Sequence, residues 1–98
     1  GALGRCVGRA AIRERFRAPT LHYAWHFFVK PEIRVEGDRA KGTWDVLALI
    51  TTNEGRAMWM VGVEHDEYVR EDGRWLHTRM QLESQLMAPH DRGWAAKA

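Results

Sequence analysis

Hydrophobic and polar residues follow two different periods along this chain. Between Gly8 and Arg17 the helix formers dominate, and Ile12 and Phe16 lie one helical turn apart on a common face. This segment is predicted to be one short helix, which Pro19 ends because proline cannot continue it. After Pro19 apolar and polar residues alternate with a period of two, which is typical of β-strands.

The alternating segments predict a series of strands joined by short turns. Glycine can adopt the positive φ that a two-residue hairpin turn requires, so Gly37-Asp38 and Asp72-Gly73 are predicted hairpin turns. A further reversal is expected at Asn53-Glu54-Gly55. The predicted strands are His22–Val29, Glu32–Glu36, Arg39–Thr52, Arg56–Arg70 and Arg74–Ala88.

The last predicted hairpin has one polar and one apolar face. Counting outward from Asp72-Gly73 pairs Asp66 with Arg79, Tyr68 with His77, and Glu64 with Gln81. The expected apolar face carries Val61, Val63, His65, Val69, Leu76, Met80 and Leu82. We therefore expect Asp66 and Arg79 to form a solvated cross-strand ion pair, while a place for Asp66 in a pocket remains the alternative.

A single helix followed by hairpin-linked strands predicts the α+β class and one domain over residues 1–98. The apolar run from Val46 to Ile50 does not alternate, so it should be covered on both sides. One short helix cannot cover such a sheet. We expect either further helices before Gly1, which would make the domain N-terminally incomplete, or a second subunit in a homodimer.

Composition excludes several classes of function. Fifteen basic and 13 acidic side chains are interspersed along the chain, whereas nucleic-acid binding requires clustered Lys and Arg. Cys6 is the only cysteine, so neither an intrachain disulfide nor a cysteine-based zinc site is possible. No segment approaches the roughly 18 apolar residues of a membrane span. We expect a cytoplasmic protein that binds neither nucleic acid nor membrane.

His26 is the first candidate for chemistry. It shares a strand face with Ala24 and Phe28, where an imidazole could act as general acid or base beside an apolar ligand. The alternative is a structural histidine that is hydrogen-bonded to the backbone. His22 lies four residues away, which on a strand is about 13 Å and too far for a shared metal. No metal site is therefore expected.

Two further groups of residues each allow two interpretations, as site residues or as structural ones. Glu64, His65 and Asp66 form a polar cluster, but successive strand residues point to opposite faces, so only part of it can enter one pocket. The large aromatic residues Trp44, Trp59 and Trp75 either line a ligand cavity or belong to the core or a dimer interface.

The order and spacing of several segments resemble a known family. These segments are Gly8-Arg9-Ala10-Ala11-Ile12, His26-Phe27-Phe28, Pro31 to Trp44 with its Gly37-Asp38 turn, Gly62 to Trp75, and Pro89 with Gly93-Trp94. Together they resemble the SnoaL-like branch of the NTF2-like superfamily, which has a cystatin-like α+β fold. That superfamily includes polyketide cyclases, scytalone and bile-acid dehydratases, and ketosteroid isomerase.

The resemblance implies a curved antiparallel sheet around an apolar pocket, and a small-molecule lyase or isomerase that works without a cofactor on a hydrophobic ligand. It implies that His26 takes part in proton transfer, and Asp66 is the second candidate catalytic residue. The expected pocket residues are His22, Phe28, Trp44, Trp59 and Glu64. This chain departs from the family pattern at Lys30, where asparagine is usual, and at Glu64, where tyrosine is usual. The alternative function is a noncatalytic ligand-binding or dimerisation module.

Overall fold

The computed structural model describes residues 5–18 and 21–95, which form one helix and a four-stranded sheet. The elements are α1 (Arg9–Arg15), β1 (Tyr23–Glu36), β2 (Arg39–Thr51), β3 (Ala57–Glu71) and β4 (Arg74–Pro89). The strands lie in the order β1-β2-β3-β4, and each pairs antiparallel with the next. The α+β class and the curved antiparallel sheet are confirmed. Pro19, the predicted end of the helix, lies outside the described residues.

The turns form where the sequence predicts them. Gly37 has φ 59°, and Asp72 and Gly73 have φ 51° and 75°, all in the left-handed region that a tight hairpin uses. The two segments predicted before Gly37 join into the single strand β1. A bulge between Val29 and Glu32 bends this strand, and Lys30 there has φ 53°.

The register of the β3–β4 hairpin differs from the predicted one. Tyr68 lies opposite His77 as expected, but a bulge between Glu67 and Tyr68 leaves one extra residue on β4. Asp66 therefore lies opposite Met80, and the prediction of an Asp66–Arg79 ion pair is wrong. Glu67 pairs with Arg79 instead, with the nearest nitrogen and oxygen 3.8 Å apart. A single added residue moves each side chain beyond it to the other face.

Strand alternation gives the sheet two faces, which we name after one residue of each. The His26 face carries Ala24, His26, Phe28, Trp44, Val46, Ala48, Ile50, Met60, Glu64, Asp66, Tyr68, His77, Met80 and Leu82. The Trp25 face carries Tyr23, Trp25, Phe27, Leu47, Leu49, Trp59, Val61, Val63, His65 and Val69. Met80 and Leu82 were predicted to lie with Val61 and Val63, and the bulge places them on the opposite face.

The core is small and lies on the His26 face. Val46, Ala48, Ile50 and Met60 are buried, and Leu21, Met58 and Leu82 pack against them. Leu47 and Leu49, which point to the Trp25 face, are only half-buried. The run from Val46 to Ile50 is thus well covered on one side and partly covered on the other.

The described helix does not cover the sheet. No residue of α1 is buried, and Ile12 and Phe16 are 47% and 66% exposed. The chain has 7995 Å² of accessible surface. A compact monomer of 11.3 kDa exposes about 5,700 Å². Among the described residues, no helix is long and apolar enough to span a membrane.

Candidate functional site

An aromatic row on the His26 face runs from β1 to β2. The His26 ring stacks beside that of Phe28 with centroids 6.1 Å apart, and Phe28 meets Trp44 edge to face at 6.4 Å. Alternation on β1 places His26 and Phe28 on the same face, and Phe28 lies opposite Val46, two residues from Trp44. The row therefore borders the buried core of the sheet.

The imidazole of His26 is open to solvent. In the described part of the chain it has the ring of Phe28 as its neighbour, and no carboxylate or backbone group hydrogen-bonds to it. A ligand that lies on the aromatic row could therefore reach either ring nitrogen. An accessible imidazole is a group that can serve as general acid or base toward a bound ligand.

A second, polar part of the same face surrounds Asp66. Asp66 is only 4% exposed, and its Oδ2 accepts a hydrogen bond of 2.9 Å from the Tyr68 hydroxyl. Nε2 of His77 lies 3.6 Å from the same oxygen, and the Tyr68 and His77 rings are 4.6 Å apart. Asp66 and Tyr68 are two residues apart on β3, and Tyr68 lies opposite His77, so the three side chains share one face. The bulge beside Tyr68 places Met80, rather than Arg79, opposite Asp66.

Two carboxyl groups of this cluster have unusual environments. Oδ1 of Asp66 is buried and has no hydrogen-bond partner among the described residues. Glu64 lies opposite Trp44 and next to Asp66 on the same face. Burial, together with a hydrogen bond to Asp66 and its negative charge, raises the pKa of Glu64 to about 7. Near neutral pH this carboxyl group therefore carries a proton in a large fraction of molecules.

Tyr68 has a raised pKa as well. Burial is the largest cause, a hydrogen bond donated by the Trp44 indole opposes it, and the neighbouring Asp66 and Glu64 add to the increase. The phenol thus keeps its proton and remains the donor to Asp66. Trp44 belongs both to the aromatic row and to the surroundings of the carboxyl groups, so it joins the two parts of the face.

His26 and Asp66, both predicted to be catalytic, do not contact each other. His26 pairs with Ala48, which pairs with Met60 on β3. Asp66 lies six residues beyond Met60, or about 20 Å along the strand. Glu64 is nearer, at about 13 Å along the strand from Met60. Any direct partnership of His26 and Asp66 in one proton transfer is incompatible with this geometry.

The other predicted pocket residues fall in different places. Phe28, Trp44 and Glu64 share the His26 face. His22 directly precedes β1, and its backbone N–H donates to Thr51 O at 3.0 Å. Trp59, in contrast, lies on the Trp25 face, because its odd position on β3 is opposite Leu49, and it packs edge to face against Trp94 at 5.6 Å.

Tyr68 and His77 lie in the candidate site although the sequence did not identify them as site residues. Counting from the turn paired them correctly but placed them on a solvated face, since alternation carries no sign of the bulge. The only available signal was the aromatic and imidazole rings facing each other across a predicted hairpin.

Two shallow clefts are found in the described part of the chain, and His26 lines neither. One, of about 140 Å³, lies between basic and acidic side chains next to Tyr68. The other, of about 210 Å³, lies between the end of β4 and Trp94. An apolar pocket beside His26 therefore stays a prediction.

Comparison with known proteins adds a family and a set of similar folds. The family model for the SnoaL-like domain matches residues 1–81. The structure of the hexachlorocyclohexane dehydrochlorinase LinA-type3 from Novosphingobium barchaimii LL02 is similar, with a TM-score of 0.71 and 24% identity over 81% of this chain and 57% of that one. A LinA structure matches with a TM-score of 0.71 and 26% identity, over 81% and 56% of the two chains. The chain thus spans little more than half of these proteins. None of the curated proteins matches it in sequence.

Proposed function

Because the chain belongs to the SnoaL-like domain family, we propose that it acts as a small-molecule lyase or isomerase. In this proposal His26 transfers a proton to or from a hydrophobic ligand on the His26 face, without a metal or organic cofactor. The similar solved structures include hexachlorocyclohexane dehydrochlorinases, which supports an elimination reaction. This chain covers only part of their length, so the proposal depends on its own residues.

The observation that carries the proposal is an unpaired imidazole beside an apolar floor. Apolar surface binds ligands without directional demands, whereas a few polar groups at its border fix their orientation. Here the ligand would lie at the border of the buried core, with its rings against Phe28 and Trp44. The His26 imidazole would then reach the carbon-bound hydrogen at the ligand's edge.

The proposed elimination requires one proton acceptor and one leaving group. A ring nitrogen of His26 takes the proton from a carbon next to the carbon that bears the leaving group. The electrons of the broken C–H bond form the C=C bond, and the leaving group departs with its own bonding pair. His26 then returns its proton to solvent. In an isomerisation the same imidazole would give the proton back to a different carbon.

A turnover assay with a matched control tests this proposal. Chloride release from hexachlorocyclohexane and water loss from cyclic alcohols would be measured for the wild type, His26→Ala and His65→Ala. His65 is a suitable control because it lies on the Trp25 face, away from the proposed ligand. We expect His26→Ala to lower turnover at least 100-fold, in line with loss of a general base, and His65→Ala to retain it. Full activity of His26→Ala would remove His26 from the mechanism.

A noncatalytic ligand-binding module is the second candidate. The observation that favours it is that His26 lacks a carboxylate partner among the described residues, whereas a catalytic base is often oriented by one. The turnover assay described above distinguishes the two candidate functions. A module would bind apolar ligands on the His26 face but release no product from any of them.

We further propose that a second copy of the chain covers the Trp25 face in a homodimer. Trp25, Phe27 and Tyr23 are 58%, 44% and 45% exposed there. The chain exposes about 2,300 Å² more than a compact monomer, and a standard interface covers about 800 Å² on each partner. Sedimentation at micromolar concentration should give a dimer, and Trp25→Glu should give a monomer. A monomeric wild type would contradict the dimer, and Arg34→Glu on the same face serves as a control for the added charge.

A further inference from the structure

The outer edge of β4 is open along most of its length. Strand β4 (Arg74–Pro89) is the last strand of the sheet, and its inner side pairs with β3. No described element lies along its outer side, since α1 packs against none of the strands. Such an edge presents unpaired backbone N–H and C=O groups to any further strand. Met80, in the middle of β4, is 61% exposed.

The two edges of the sheet differ in how they are protected against pairing. At the other edge, β1 is interrupted by a bulge that contains Lys30 and Pro31, and proline has no N–H to donate. Strand β4 contains no proline before its last residue. Its own bulges leave Thr78 and Gln85 without partners on β3, and residues 79–84 between them are regular. This stretch is the part of the edge that a further strand could join.

The regular stretch of β4 is complementary to itself about Gln81. Arg79 and Glu83, each two residues from Gln81, carry opposite charges and point to the Trp25 face. Met80 and Leu82, each one residue away, are apolar and point to the His26 face. An antiparallel second copy with its own Gln81 opposite Gln81 would place Arg79 opposite the partner's Glu83, and Met80 opposite the partner's Leu82. A twofold axis requires such complementarity, because one patch meets itself.

Other registers do not bring these groups together. A shift of one residue sets side chains of opposite faces against each other. A shift of two residues places Arg79 opposite the partner's Gln81 or the partner's Gln85, so that the opposite charges no longer meet. The pattern of charges therefore selects the register that is centred on Gln81.

The charged residues fix the register, while the backbone and the apolar residues supply the attraction. Arg79 lies 3.8 Å from Glu67, and Glu83 lies 3.2 Å from His65, in exposed pairs that contribute little to stability. Both side chains can therefore turn toward a partner, where opposite charges favour the correct register and like charges oppose the others. Added-strand interfaces obtain their affinity from main-chain hydrogen bonds and from side chains such as Met80.

We propose that two copies of the chain join edge to edge through residues 79–84 of β4 and form one continuous eight-stranded sheet. The twofold axis is perpendicular to this sheet, so both His26 faces lie on the same side. The Trp25 face stays free, and the pairing neither uses nor requires the homodimer proposed above. Six residues cover less than the about 800 Å² per partner of a standard interface, so we expect a dissociation constant on the order of 0.1–1 mM.

Reversal of the two charges tests this pairing. All chains carry Trp25→Glu, which removes the proposed Trp25-face dimer, and association is measured by sedimentation equilibrium up to about 1 mM. We expect this parent chain to dimerise at the upper end of the range. Arg79→Glu and Glu83→Arg should each weaken self-association at least 10-fold, because each creates two like-charge pairs. An equimolar mixture of the two variants should recover it, since opposite charges then meet at both positions.

Arg74→Glu is the matched control. Arg74 lies on the same strand and the same face but outside residues 79–84, so its reversal should leave the association unchanged. The proposal is overturned by a parent chain that stays monomeric at about 1 mM, by charge variants that associate as tightly as the parent, by a mixture that does not recover, or by an equal loss in Arg74→Glu.

Isotope-filtered NOEs test the register without any variant. In a mixture of ¹³C-labelled and unlabelled wild-type chain at about 1 mM, we expect intermolecular NOEs between the methyl group of Met80 and those of the partner's Leu82. A set of intermolecular NOEs that lacks this pair would overturn the proposal. The two proposed interfaces fail separately, because loss of the Trp25-face dimer at micromolar concentration leaves these NOEs in place.

Discussion

The two ends of the His26 face differ in how far their polar side chains are buried and paired. At one end His26 and Phe28 are exposed, and the imidazole has no polar partner among the described residues. At the other end Asp66 is buried and is held by Tyr68 and His77. The same face therefore offers an open, unpaired base and a closed, paired acid. This difference teaches that the two groups are too far apart, and too differently buried, to share one proton transfer.

The hairpin turns explain why the Asp66 end is closed. Arg70 on β3 donates two hydrogen bonds to Oδ1 of Asp38, at 3.0 and 2.9 Å, and its backbone N–H donates to Asp38 O at 2.7 Å. These bonds tie the β1–β2 turn to the neighbouring strand. No comparable contacts surround His26 in the described residues.

Removing the acid should have the largest effect on stability. Asp66→Ala removes the acceptor of the Tyr68 hydroxyl, and we expect the free energy of unfolding to fall by about 2 kcal/mol. Asp66→Asn should cost much less, because the amide keeps an acceptor for Tyr68 and can donate to Glu64. Urea denaturation at pH 7 measures both.

Asp45→Ala is the matched control for this change. Asp45 lies on the Trp25 face in an exposed ion pair with Lys30 at 3.7 Å, which should contribute less than about 1 kcal/mol. An equal loss in Asp66→Ala and Asp45→Ala would contradict the distinction between the closed and open regions.

A smaller effect is expected from the protonation of Glu64. Its pKa is about 7 in the folded chain against 4.5 for the ordinary group, so the folded state holds the proton more tightly. The resulting stabilisation is complete below pH 4.5 and is lost as the pH rises to about 7. Gln resembles the protonated acid at every pH. Between pH 4.5 and 8 the stability of Glu64→Gln should therefore improve relative to the wild type by about 1 kcal/mol, allowing for partial solvent screening.

Urea denaturation across this pH range, with Glu54→Gln as the exposed control, measures the effect. Glu54 lies in the exposed turn before β3. If the difference between Glu64→Gln and the wild type does not change with pH, Glu64 does not hold its proton through neutral pH, and the two ends of the face are less distinct than described.

Much of the fold follows from the sequence, because its causes are local. Alternation after Pro19 and the glycines at Gly37 and Gly73 specify long strands and tight turns. The family resemblance likewise agrees with the matched family model. The short helix was also predicted, although the surface it was expected to cover remains exposed.

The site was harder to predict, because it depends on the bulges. The extra residue beside His77 decides whether Arg79 or Met80 lies opposite Asp66, and nothing in the period of the sequence marks it. The sequence also could not predict which face of the sheet carries Trp59, because that depends only on the register of β2 and β3. The place of His26 beside Phe28 was predictable, since two residues apart on a strand always share a face.

The most direct test is an intermolecular NOE map of acetophenone bound to the wild-type chain at pH 5.5. We expect contacts from the phenyl ring to Phe28 and Trp44, with the His26 ring at the edge of the ligand. Contacts confined to Trp25 and Phe27 would place the ligand on the opposite face and would contradict the account.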